Sequence, residues 1–127
     1  MPAAVVNGGR AIITNRLRGS GTDPLYIGVG TGSTAVATTQ TDLVTPVDSR
    51  VTGTSAQATT TTTNDTHRVT GTFTCGATSR VITEVGTFDA VSSGNMFIRA
   101  VLDSSISLVN GDSIAFTINC VVSSSVA

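Results

Sequence analysis

Apolar and polar residues alternate most sharply near the C-terminal end of the chain. From Ser113 to Val122, the residues Ile114, Phe116, Ile118, Cys120 and Val122 share one face, the period-two pattern of a half-buried strand. The same period sets Val69, Gly71, Phe73 and Cys75 opposite Thr70, Thr72 and Thr74. Arg80–Phe88 and Asn95–Leu102 read as two further strands. Ser92-Ser93-Gly94-Asn95 and Asn110-Gly111-Asp112 are the turns, the Asn-Gly pair favouring positive φ. Four strands joined by such short links predict an antiparallel meander or Greek key.

The first half of the chain is less regular. Leu25–Val29 reads as a buried strand after an Asp23-Pro24 turn, Gly30–Thr34 as a loop, and Val36–Val47 as polar and irregular. Arg50-Val51-Thr52-Gly53-Thr54 recurs as Arg68-Val69-Thr70-Gly71-Thr72, which predicts two similar strands, paired antiparallel or facing each other across a sheet. Residues 10–18 (RAIITNRLR) are the one helical candidate, with Ile13 and Leu17 at i, i+4 and Gly19 and Gly21 beyond; a strand over Ile12-Ile13-Thr14 is the alternative. The Thr-rich run Ala58–Thr63 has no apolar face and is expected to lie extended along a neighbouring subunit. The expected architecture is all-β, an antiparallel β-sandwich of about seven strands with a short N-terminal helix or arm. Residues 1–24 form the arm and residues 25–127 a single sandwich domain.

Composition supports the strand reading. Sixteen Val, eight Ile and twenty-three Thr against five Leu give a chain dominated by β-branched side chains, which suit a pleated surface and lose freedom in a helix. Its 127 residues suffice for one domain with a real core. Charged residues make up 12% of the chain and the net charge is −1, so no basic field suits nucleic acid. A surface with so little charge is prone to associate, which favours work inside an assembly. No apolar segment approaches the roughly 18 residues of a membrane span, and the N-terminal sequence lacks a secretory pattern, so the chain is read as made and used without export.

Candidate chemistry is sparse. There is one histidine (His67), one glutamate (Glu84), and no lysine or tryptophan. Acid–base and nucleophilic catalysis need titratable groups held together, and metal sites need clustered ligands; neither is visible, so no enzyme, cofactor or metal is expected. The Gly30–Thr34 stretch (GTGST) lacks the Gly-Lys pair of a phosphate loop. His67 reads as a surface residue at a strand entry. Cys75 and Cys120 read as buried free thiols, with a disulfide left open because it requires the Cα atoms within about 7 Å. Glu84 and Arg99 each interrupt an apolar strand, which suggests a cross-strand ion pair; two solvent-facing charges are the alternative. Arg10, Arg16 and Arg18 give the first eighteen residues three positive charges and no acid. That segment is expected to leave the sandwich and dock on an acidic neighbouring surface, a solvated arm being the alternative.

Several pieces, in order, carry a resemblance: ITNRLRGSGTDPLYIGVGTGST, the Asp42-Leu43 pair, RVTGT, NDTHRVTGTFT, ITEVGTFDA, GNMFIRA and GDSIAFTI. From Ala11 to Val122 the chain resembles a family of small bacteriophage virion structural proteins. Thr87 departs from it, standing where members often carry an apolar residue after ITEVG. Members are described as capsid decoration (cement) proteins or as tail and fibre components, and they carry no catalytic motif. The resemblance implies a non-enzymatic virion protein assembled in the bacterial host cytoplasm. The first expectation is a cement protein, a homotrimer that clamps the major capsid protein at three-fold positions of the head shell. A tail, neck or fibre subunit in contact with other virion proteins, and used in host attachment, is the alternative. A carbohydrate-binding module is a further one, although the chain offers only Tyr26 and four Phe as sugar platforms.

Overall fold

In the computed structural model, which describes residues 1–126, eight strands form two antiparallel sheets and one helix packs against them. The larger sheet runs β1 (Ala3–Val5), β7 (Met96–Leu108), β6 (Arg80–Phe88), β2 (Tyr26–Gly30) and β3 (Pro46–Thr52), in that spatial order. The smaller runs β4 (Thr54–Ala58), β5 (Thr66–Thr74) and β8 (Ser113–Val121). The helix α1 spans Asn7–Leu17. This is the all-β sandwich that the residue pattern predicts. Between the sheets, Ile27, Val29, Val69, Phe73, Ile82, Val85, Leu108 and Phe116 form the main core. Burying side chains of this size contributes about 1.5–3 kcal/mol each.

The RVTGT repeat explains how the two sheets join. The first copy ends β3 at Thr52, passes through Gly53 and begins β4 at Thr54, so the chain changes sheet at the glycine. The second copy lies inside β5, and Thr54 pairs with Thr70. The two copies are thus antiparallel neighbours at one pair, the last residue of the first against the middle of the second. A side-chain carbon on Gly71 would sit 3.3 Å from Gly53 Cα and 2.7 Å from Ile27 Cδ1. One on Gly53 would lie 2.8 Å from the carbonyl oxygens of Leu25 and Thr70. Both glycines are there because backbone passes over backbone.

Three regions depart from the expectations. The N-terminal segment does not leave the sandwich: Ala3, Ala4 and Val5 pair with Ala100, Arg99 and Ile98, and Val6 is fully buried. The helix begins at Asn7 rather than Arg10, because Gly8 and Gly9, poor helix formers, allow it to lie against the Met96 and Phe97 carbonyls. The Thr-rich run is not extended. It curls around one carboxylate, with Asp65 accepting from the Thr60, Thr61 and Thr62 amides at 2.8–3.0 Å and from the Thr66 hydroxyl at 2.7 Å. Those bonds, the Thr62 amide's foremost, hold the Asp65 carboxyl well below the usual carboxylate range. Finally, β7 continues to Leu108, since Ile106 and Leu108 keep facing the core between exposed serines.

Thr87 is fully buried in β6 between Ile27 and Ile98, and its hydroxyl meets no hydrogen-bonding protein atom. Val has nearly the same shape without that buried polar group. Thr87→Val is therefore expected to raise stability by about 1–2 kcal/mol in denaturant unfolding. A loss of stability would show that the hydroxyl is satisfied in the folded protein.

Candidate functional site

The most elaborate polar site lies on the face of the larger sheet turned away from the core. The β6–β7 pairing is irregular at Thr83: Ile82 pairs with Ile106, yet Glu84 pairs with Val101, so the four β7 residues 102–105 stand opposite Thr83 alone. A bulge of this kind re-aims the side chains around it. Ile82 and Val85 consequently both face the core, while Glu84 points to the other side. There the segment 31–45 closes over it. Glu84 Oε1 accepts from the Thr45 amide at 2.8 Å and the Gly32 amide at 3.3 Å, and Oε2 accepts from the Val44 amide at 3.0 Å. Gly30 and Gly32 are small because the carboxylate occupies the space a Cβ would need.

Arg99, diagonal to Glu84 on β7, completes the arrangement. Its Nε donates to Glu84 Oε2 at 2.8 Å, and Nη2 stands 2.7 Å from the same oxygen as a charge contact without hydrogen-bond alignment. Nη1 donates to the Thr34 carbonyl at 2.9 Å and to Gln40 Oε1 at 3.2 Å. Both side chains are 0% exposed. Two ends of one long connection are thus tied to one buried ion pair. The charges make a clamp for the covering segment, with no opening in which a substrate could meet them.

The three arginines of the N-terminal segment are all exposed, but helical spacing divides them. Arg16 donates to the Gly21 carbonyl at 2.9 Å and Arg18 to Asn15 Oδ1 at 2.8 Å. Arg16 and Arg18 border different clefts of the surface. Arg10, Arg16 and Arg18 therefore form no single basic patch.

A serine, an aspartate and a histidine do meet, at the far end of the smaller sheet. His67 Nε2 is 2.9 Å from Asp23 Oδ1, and the Ser55 hydroxyl donates to Asp23 Oδ2. Burial pushes the Asp23 carboxyl up, but the bonds from Ser55 and His67 and the nearby positive charges outweigh it, and its pKa is lowered. The order is wrong for a serine triad: the carboxylate stands between the hydroxyl and the imidazole, so the imidazole does not reach Ser55. The trio instead ties the α1–β2 connection to β4 and β5. From the residues alone His67 reads as a surface residue, because its partner lies 44 positions away and nothing local signals it.

Cys75 is buried and Cys120 half-buried, and both are free thiols. Burial pushes the Cys120 thiol up, which makes it less reactive. Among the described residues no three His, Cys, Asp or Glu side chains gather as metal ligands, and no helix is long and apolar enough to cross a membrane. The four Phe are buried, and Arg50 covers the face of Phe88 at 3.5 Å.

Comparison with known proteins gives one family. Residues 10–124 match the family model described as podophage GP4 fiber I protein gp80. No curated protein matches the chain. The match begins within α1 and runs through β8, and so takes in the clamp, the RVTGT repeat and both sheets apart from β1. The chain belongs to the podophage GP4 fiber I protein gp80 family.

Proposed function

We propose that this chain is a non-enzymatic structural subunit of a podophage fibre. The observation that carries this reading is the fibre-family match over almost the whole sandwich. Membership gives the chain a place in the virion and other virion proteins as its neighbours. Decoration of the head shell, the reading that the residues and their resemblance put first, fits a fibre family less well than the tail-fibre alternative does. The geometry supports a structural role in two ways. The strongest buried charges pin a covering segment and do not themselves face solvent. The aromatic rings serve as core: Tyr26 packs on the Val6, Leu43, Phe88 and Met96 cluster, so a sugar finds no stacking platform of the usual kind.

Immunogold labelling of intact virions, with quantitative mass spectrometry of the same particles, tests this. Label confined to fibres, with copies on the order of dozens per particle, is the expected result. Uniform label over the head, with copies on the order of hundreds, would return the shell-decoration reading.

A further inference from the structure

The sheet edges are not alike. β1 offers three residues and β4 five. β3 begins at Pro46 and is broken at Asp48, whose φ is 59°, so its edge is irregular. β8 differs from all of these: nine residues with no charge, no proline and no break in its pairing with β5. Bonds from Cys75 N to Asp112 O and from Val122 N to Asp65 O show that even-numbered positions of this strand face β5. Ser113, Ala115, Thr117, Asn119 and Val121 therefore turn their backbone N–H and C=O groups to the outer edge. Beside that edge, Ile114 and Ile118 of β8 and Leu102 and Ile106 of β7 pack on the core yet remain half-buried. Strand and core are both left incomplete on the same side of the sandwich.

We propose that two copies of this chain pair along β8, antiparallel across a two-fold axis at Thr117, so that two three-stranded sheets become one of six. The occupant is a second copy because the edge complements itself. Thr117 meets Thr117 of the other copy, Ala115 meets Asn119, and Ser113 meets Val121, with no like charges opposed and no long side chain holding the strands apart. Asp112 lies just before the strand, its carbonyl held by the Cys75 amide, and Arg68 sits one strand in, held by Asn119 Oδ1 at 2.9 Å. Helix α1 lies on the core side of the strand's C-terminal half, sharing an apolar cluster with Ile118 and Cys120 and a cleft with Cys120 and Val122. The shorter β4 edge, with only Ser55 and Gln57 facing out, is a poorer match in length. An edge about 30 Å long and two layers deep covers roughly 600 Å² per copy, near the lower end for specific interfaces. A three-fold axis cannot relate two antiparallel copies of one strand, so this contact is two-fold and replaces the trimer expected from shell symmetry. It does not depend on where in the virion the chain sits.

Sedimentation velocity and residue-resolved hydrogen exchange on the full chain test the pairing. At tens of micromolar the chain is expected to sediment as a dimer, or as an assembly of dimers. The Ala115 and Asn119 amides should then exchange at least about tenfold more slowly than in a monomeric variant. Thr117→Pro removes an outward N–H at a position where an edge strand tolerates proline, and should give a folded monomer. Should that variant fail to fold, Ala115→Lys, which sets a charge into the contact, is read in its place. A wild-type monomer or trimer overturns the proposal. So does an oligomer whose Ala115 and Asn119 amides exchange freely, or a dimer that survives in the folded variant.

Discussion

Replacing Arg99 with Met, or Glu84 with Gln, is expected to cost about 3–5 kcal/mol of folding stability, because either change strands the other group in a fully buried site. In Arg99→Met the carboxylate keeps three backbone amides and loses its counter-charge. In Glu84→Gln the guanidinium keeps only the Thr34 and Gln40 oxygens as strong acceptors, and both belong to the covering segment. The double variant should lose clearly less than the sum of the two, with a coupling energy of about 1–3 kcal/mol in denaturant unfolding. An exposed pair would give less than about 1 kcal/mol in either single variant. Hydrogen exchange should report the same event locally, through faster exchange of the Gly32, Val44 and Thr45 amides. Coupling near zero would mean that the segment 31–45 holds its place without the ion pair.

Gly9→Ala is the second large effect, and its sign runs against helix propensity. On propensity alone, alanine inside a helix should stabilise by about 1 kcal/mol. Here the added carbon would collide with the Phe97 carbonyl oxygen and sit 2.8 Å from Val5 Cγ1. Neither the β7 backbone nor the buried seam beside Val6 can yield cheaply, so a loss of about 1–3 kcal/mol is expected. Gly8→Ala meets the Met96 carbonyl at 3.2 Å and should cost less. A stabilised Gly9→Ala variant would show that α1 does not pack this closely on β7.

Much of the fold is legible in the residues because it rests on local periodicity. Alternation in β5 and β8 marks the faces that become the core, and β-branched side chains favour extended backbone over helix for reasons internal to each residue. The Asn110-Gly111 turn is equally local, with Gly111 at φ 89°. The solitary charges of β6 and β7 are visible in the same way, as breaks in apolar runs.

What the residues leave open depends on partners far away in the chain. Period two carried straight through β6 puts Ile82 and Glu84 on the same face; the irregularity at Thr83 separates them, and the opposed β7 backbone fixes it there. A charged N-terminal segment reads as an arm until β7 supplies a strand edge for Ala3–Val5 and carbonyls against which only glycine fits. Five threonines in a row read as extended until Asp65 gathers their amides. By itself the sequence determined most of the strands and, in β5 and β8, the faces they bury, because those choices are made within a few residues. Which strand ends beside which, where the bulge falls, and why β8 alone keeps a long unblunted edge were decided by the tertiary structure, because backbone groups find their partners only once the sheets have formed.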